Sequence, residues 1–148
     1  MPVSTLRVER VRPDSFVQDW RAVHNTVIPT HPLSLDDVRE RSGRHLLEVA
    51  YLDGVLVGNM TVRPPTDDEP VVTVIARVLT AHRGRGLGRE LYARGLAHAR
   101  ELRPGAVETV VLESHQDGLR FALRQGFVEV ERYLLPGDTI RYVTLRLP

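Results

Sequence analysis

Hydrophobic positions along this chain change period several times, and each change marks an element. Leu6, Val8 and Val11 alternate with Arg7, Glu9 and Arg10, which predicts a strand over 5–11. Phe16, Val17, Trp20, Val23 and Val27 then recur at helical spacing, so a helix opens at Pro13-Asp14-Ser15 and Pro29 stops it. After a loop through His31, Ser34 reads as the N-cap of a short helix with Asp36 and Asp37 in its first turn. Strands are expected over 46–52 and 55–62, joined by the hairpin signal Asp53-Gly54. A polar loop over 64–70 leads into the long β-branched run 71–79, read as a central strand. Leu91, Tyr92, Gly95, Leu96, Ala99 and Leu102 share one face of a helix over 89–102, which Arg103-Pro104-Gly105 ends. A strand over 107–112, a helix over 117–124 stopping at Gly126, and terminal strands over 127–135 and 140–147 complete the chain.

The order is therefore β-α-α-β-β-β-α-β-α-β-β, an α/β (α+β) arrangement. The strands before Val71 read as antiparallel, and 71–79, its helix and 107–112 as a parallel crossover. No repeat or linker divides the sequence, so residues 1–148 read as a single domain.

Composition narrows the chemistry. The sequence holds 42% hydrophobic and 26% charged residues and a formal net charge of +1, so nothing global points to nucleic acid or membrane. All 20 basic residues are Arg, which excludes a Schiff-base or lysine-nucleophile mechanism. The absence of Cys excludes disulfides, thiolate metal ligands and a cysteine nucleophile. His24, His31 and His82 lack metal-ligand spacing, so no metal is expected. No stretch reaches the length of a membrane span, and Met1 to Leu6 lack the apolar region of a signal peptide, so a cytoplasmic protein is expected.

The segment Arg83-Gly84-Arg85-Gly86-Leu87-Gly88-Arg89 follows the central strand directly and opens the next helix. Glycines let backbone N–H groups approach a bulky anion, and the helix adds its free N–H groups and positive dipole end. Arg83, Arg85 and Arg89 add charge, which makes the segment a pyrophosphate cradle. A P-loop is excluded because it needs a Lys. The dinucleotide pattern Gly-x-Gly-x-x-Gly also fails, because Gly84-x-Gly86 is followed by Arg89 and Gly86-x-Gly88 by Leu91.

Arg83 to Gly88 resembles the Gln/Arg-x-x-Gly-x-Gly/Ala motif of the GNAT (Gcn5-related N-acetyltransferase) superfamily. The resemblance extends to the strand before it, the amphipathic helix after it, and the short helix ending in Gly126-Phe127. It implies the GNAT fold, a mixed central sheet of about seven strands flanked by about four helices. It also implies acetyl-CoA as cofactor and transfer of its acetyl group to an amine. Gly84, Arg85, Gly86, Leu87, Gly88 and Arg89 would then offer N–H groups to the pyrophosphate, with Arg83 beside them. Ala76, Arg77 and Val78 would bond the pantetheine arm through their backbone, and the Val78 N–H would polarise the thioester carbonyl. The two central strands would splay where the cofactor enters, with the acceptor arriving from the opposite side.

The same resemblance makes Glu113 the expected general base and Glu48 the runner-up. The family's usual acid, a Tyr four residues before the Gly-Phe pair, is absent: Ala122 stands there. The Asn that often touches the pantetheine is not evident either, although His115 and Asp117 lie nearby. A thiol pKa of roughly 8.5 makes thiolate a tolerable leaving group without full protonation. Tyr92 and Tyr133 read as core or edge residues. Asn25, His31 and Leu33 are candidates for the acceptor wall, and the acceptor is a small-molecule or protein amine. Missing Tyr and Asn also leave open a non-catalytic acyl-CoA-binding module, while a nucleic-acid binder is disfavoured by the balanced charge. Pairing through a terminal strand would give a homodimer.

Overall fold

The structure is a computed structural model and describes residues 6–148. Thr5, the first residue of the first expected strand, lies outside the described residues, as does almost all of the stretch read for a signal peptide. The chain folds as β1 (Leu6–Arg10), α1 (Val17–Val27), α2 (Leu35–Arg44), β2 (Leu46–Leu52), β3 (Val55–Arg63) and β4 (Val71–Val78). A 3-10 turn at Thr80–His82 follows, then α3 (Leu87–Glu101), β5 (Ala106–Leu112), α4 (Gln116–Arg124), β6 (Val128–Tyr133) and β7 (Tyr142–Arg146). The element order is the expected one, with seven strands in one sheet and four α-helices.

Most boundaries differ from the expectation by a residue, and three regions differ by more. Residues Arg12 and Ser15 close a tight turn, and Phe16 caps α1 with φ 64, so the helix begins at Val17 rather than at the proline. Gly86 takes φ 79 as the cap of α3, which lets Leu87 and Gly88 join the first turn. The terminal strands are shorter than expected, and 134–141 is a connecting loop.

The sheet order is β1-β2-β3-β4-β5-β7-β6, so the last strand inserts between β5 and the edge strand β6. Every pair is antiparallel except β4 with β5. Two apolar layers cover the faces. Tyr92 and Ala99 of α3 join Met60, Val74 and Phe127 on one side, and Val17 and Trp20 of α1 join Val11, Leu47 and Val49 on the other. Gly95 lets α3 lie close to the sheet, since a Cβ there would stand 2.5 Å from the Val74 side chain. Ser34 and Asp37 exchange hydrogen bonds in a capping box that fixes the start of α2. Among the described residues no helix is long and apolar enough to cross a membrane.

Candidate active site

The parallel pair β4–β5 holds together only briefly. Val71, Val72 and Thr73 pair with Ala106, Val107 and Glu108, and pairing stops there. Residues of β4 from Val74 onward therefore keep β3 on one side and face a widening gap on the other. The ladder parity decides which groups face that gap. Leu79 N–H donates to the Val57 carbonyl at 2.8 Å, so Gly58 and Val78 form a non-hydrogen-bonded pair. The N–H and C=O groups of Val78, and of Ala76 two residues earlier, thus point away from β3 into the gap, while those of Arg77 turn back to Asn59.

Gly58 belongs to this arrangement. A Cβ at that position would lie 2.3 Å from the Arg77 carbonyl oxygen, so only glycine admits β4 at this separation.

Below the gap, β4 runs into the glycine- and arginine-rich loop. Gly84 and Gly86 sit at φ 80 and 79, with nothing within 4 Å of where a Cβ would project. Among the described residues the backbone N–H groups from Gly84 to Arg89 meet no acceptor; the first helical bond of α3 is Glu90 N–H to the Gly86 carbonyl at 3.1 Å. Arg83 Nε donates to the Val78 carbonyl at 2.8 Å and ties the loop to the strand end. Gly88 lies against the Phe121 ring, which closes the far wall from α4. The result is a cleft of about 570 Å³ bounded by Ala76, Arg77, Val78, Arg83, Gly84, Gly86, Leu87, Gly88 and Arg89 on one side and α4 on the other. Arg85, the remaining residue of the loop, is exposed at its tip. Open backbone, free N–H groups and guanidinium groups together suit a phosphorylated, elongated ligand.

His115 stands at the junction, packed so closely on Gly118 that a Cβ there would come within 2.5 Å of the ring. Burial, reinforced by the Arg83 charge, lowers its pKa and so favours the neutral imidazole. Ala122 is buried in the core beside Phe127 and Tyr92. The Tyr92 hydroxyl is also buried, with no hydrogen-bond partner among the described residues, and burial raises its pKa.

On the other side of the sheet a smaller cavity of about 220 Å³ adjoins the gap, with Ile75, Arg77 and Val110 common to both. His31 reaches it from the α1–α2 loop, its Nε2 2.7 Å from Asp138 Oδ2 in the β6–β7 loop. Asn25 does not line it but shapes it, since its amide accepts from Leu33 N–H at 2.9 Å and donates to the Leu33 carbonyl at 3.1 Å, pinning that loop. His24 lies in its wall, stacked on Trp20, with a pKa lowered to about 4 by burial and then by Arg77.

Both expected carboxylate bases are engaged elsewhere. Glu113 accepts from Arg141 Nη2 at 2.7 Å and Arg132 Nη1 at 3.0 Å, and these contacts hold its pKa near 2. It borders neither the cleft nor either adjoining cavity, so the geometry does not bring it to the cofactor loop. Glu48 is buried against α3, receiving Arg94 Nε at 2.8 Å and Nη2 at 3.0 Å. Arg41, Arg63 and Tyr142 line this smaller cavity and Asp138 adjoins it through His31, none of them singled out from the sequence. The one available signal was Arg77, a cation inside an otherwise apolar central strand.

The sequence pattern described as the acetyltransferase (GNAT) family matches residues 10–127, from the end of β1 through Phe127. The chain belongs to that family. No curated protein matches this GNAT chain in sequence. Its fold is shared with a candidate phosphinothricin N-acetyltransferase at 18% identity and TM-score 0.79, covering 97% of this chain and 98% of the other. A Salmonella typhimurium protein determined with its cofactor acetyl-CoA aligns at 16% identity and TM-score 0.76, covering 96% and 92%. A ribosomal-protein-alanine N-acetyltransferase from Brucella melitensis aligns at 18% identity and TM-score 0.73, covering 95% and 98%. At these identities the likeness is one of fold.

Proposed function

We propose that this GNAT chain transfers the acetyl group of acetyl-CoA to the amine of a small-molecule or protein acceptor by direct attack. The observation that carries this reading is the gap beside β4, where the Ala76 backbone and the Val78 N–H lie open and, after the short turn Thr80–His82, the N–H groups of Gly84 to Arg89 are unpartnered among the described residues. Bound acetyl-CoA supplies an activated acetyl thioester. The loop N–H groups, with Arg83, Arg85 and Arg89, would hold its pyrophosphate, and the Ala76 backbone and the Val78 N–H would pair with the pantetheine arm as an added strand would. Arg77 contributes differently from its neighbours: its backbone is used by β3, and its side chain crosses to the acceptor side. The Val78 N–H faces the gap and is placed to donate to a carbonyl oxygen there.

The acceptor amine arrives from the opposite cavity and must lose a proton. His31, oriented by Asp138, is the acceptor-side group best built to take it, because the Asp138 bond fixes one ring nitrogen and leaves the other for the substrate. The departing thiolate needs no strong acid, given a thiol pKa of roughly 8.5. Steady-state release of CoA thiol from acetyl-CoA against a panel of amines tests the reading. Turnover that falls at least tenfold in His31→Gln is expected; a folded protein that binds CoA but acetylates no amine would sink it.

A second reading, a CoA-binding module without turnover, draws its support from Ala122, which leaves the usual acid position filled by a buried methyl group. The same assay separates the two.

A further inference from the structure

The acceptor-side cavity has an unusual charge balance. Arg41 from α2, Arg63 from the end of β3 and Arg77 from β4 all line it, and no lining residue is an Asp or Glu. Among the described residues no carboxylate lies within 4.0 Å of any of the three guanidinium groups. The acids of α2 are occupied: Asp36 pairs with Arg39, Glu40 with Arg44, and Asp37 caps the helix. Arg77 is 7% exposed, and its one side-chain hydrogen bond among the described residues is a long one, Nη1 to Asn59 Oδ1 at 3.4 Å. The Nε groups of Arg63 and Arg77 are buried and meet no acceptor among the described residues.

Buried donors are nearly always satisfied, and buried cations are nearly always paired. Three guanidinium groups sharing one cavity repel each other as well. Burial lowers the pKa of Arg77 to about 9, with Arg63 and then Arg41 adding to the effect. Burial likewise lowers that of Arg63, with Arg41 next. Compensation from the protein is slight: the phenols Tyr133 and Tyr142 line the cavity, the Arg77 guanidinium lies 5.8 Å over the Trp20 ring, and Asp138 is hydrogen-bonded to His31. Such a cluster costs stability in the free protein and is relieved by an anion, whose two oxygens suit the forked donors of arginine.

We infer that the acceptor is a small amine bearing an oxyanion group, such as a carboxylate or phosphonate, bound by Arg41, Arg63 and Arg77 while its amine points through the strand gap. The inference rests on the acetyltransferase reading and narrows its acceptor. A cavity of about 220 Å³ has room for on the order of seven water-sized groups, which fits a short amino acid and not a folded protein segment. Arg77 joins the two halves: it borders the cofactor cleft, the gap and the acceptor cavity, so an anion held there lies close to the place where the thioester would be presented.

Matched acid and amide pairs test this directly: glycine with glycinamide, β-alanine with β-alaninamide, and aminomethylphosphonate as an alternative oxyanion. CoA release should favour the acids at least tenfold in kcat/KM. Whichever oxyanion turns over faster identifies the group. In Arg41→Gln and Arg63→Gln the acid-to-amide ratio should collapse towards one. An amide that is used as well as its acid, or a protein N-terminal peptide preferred over every small acid, overturns the inference and leaves the acetyltransferase reading standing. If no amine turns over, that reading fails, and binding decides the inference alone. Calorimetric titration at fixed ionic strength should show succinate binding at least fivefold tighter than succinamide, with the difference lost in Arg41→Gln. Equal binding of the two, or a preference that survives Arg41→Gln, overturns it.

Discussion

The two sides of the β4–β5 gap are built from different materials. On the donor side the chain presents its backbone: N–H groups of Gly84 to Arg89, strand groups of Ala76 and Val78, and glycines that keep Cβ atoms out of the way. On the acceptor side it presents side chains drawn from nine separate elements or loops, with His31 and Asp138 meeting across 107 positions of sequence. Main-chain groups recognise what every member of a cofactor class shares, and side chains recognise what distinguishes one acceptor from another. A backbone surface therefore tolerates changes of side chain but not of chain path. The side-chain surface has the opposite sensitivity.

The sharpest way to break that comparison is to add one carbon to the donor side. Gly58→Ala would place a Cβ 2.3 Å from the Arg77 carbonyl. The obstacle is backbone, which cannot rotate aside, so β3 and β4 must separate. We expect a loss of about 3 kcal/mol in stability, read from the denaturant midpoint, with weaker CoA binding in the surviving fold. A midpoint within experimental error of the parent would show that β4 is not held where its carbonyl and N–H groups are needed.

The contrast also explains what could be read from the sequence. The donor side is local: strand, Arg83 to Gly88 and helix are consecutive, so one segment carries both the pattern and its physics. The sheet was legible for the same reason, since the hairpin at Asp53-Gly54 and the crossover through α3 join neighbours in sequence. Insertion of β7 beside β5 was not legible, because the pairing of Glu108 with Arg146 depends on a return from the far end of the chain. The acceptor side shares that difficulty. Arg41 looks like any arginine on a polar helix, and Arg63 like the end of a hairpin strand. Only the fold shows that they converge on Arg77 without an acid between them. Glu113 shows the reverse difficulty. Its place at the end of β5 was right, but Arg132 and Arg141 come from later strands and from the loop before β7, and they claim it.

A pH titration sharpens the comparison from the acceptor side. His24 has a folded pKa of about 4, below its ordinary 6.5, because burial and Arg77 disfavour a further cation; Asn25 opposes this, and Arg41 and Arg63 assist it. The unfolded chain then binds the proton more readily, so its stabilising contribution is complete above 6.5 and is lost as pH falls towards 4. His45, also held at about 4, adds a change of the same sign. Urea midpoints measured from pH 7 down to 4.5 should fall. His24→Gln should remove about 2 kcal/mol of that fall. An unchanged slope in the variant would mean that His24 is solvated, and that the arginine field of the cavity does not reach it.

The smallest expected effect is at Glu113. A residue that takes the proton from the acceptor contributes roughly 10²- to 10⁴-fold to the rate. Glu113 is poorly placed for such work. Its pKa near 2 makes it a weak proton acceptor at neutral pH, and both oxygens are engaged with Arg132, Arg141 or the Arg141 backbone N–H. We expect kcat/KM of Glu113→Gln to stay within twofold of the parent at pH 7.5. Its mark should appear in stability instead. A carboxylate whose folded pKa is depressed stabilises the fold above its ordinary value of 4.5, and that contribution is lost as pH falls towards about 2. The Gln variant should therefore be less stable than the parent at pH 7, with the gap closing as the pH drops below 4.5. A loss of a hundredfold or more in turnover, with stability unchanged, would return the proton chemistry to the end of β5 and remove His31 from the role given to it here.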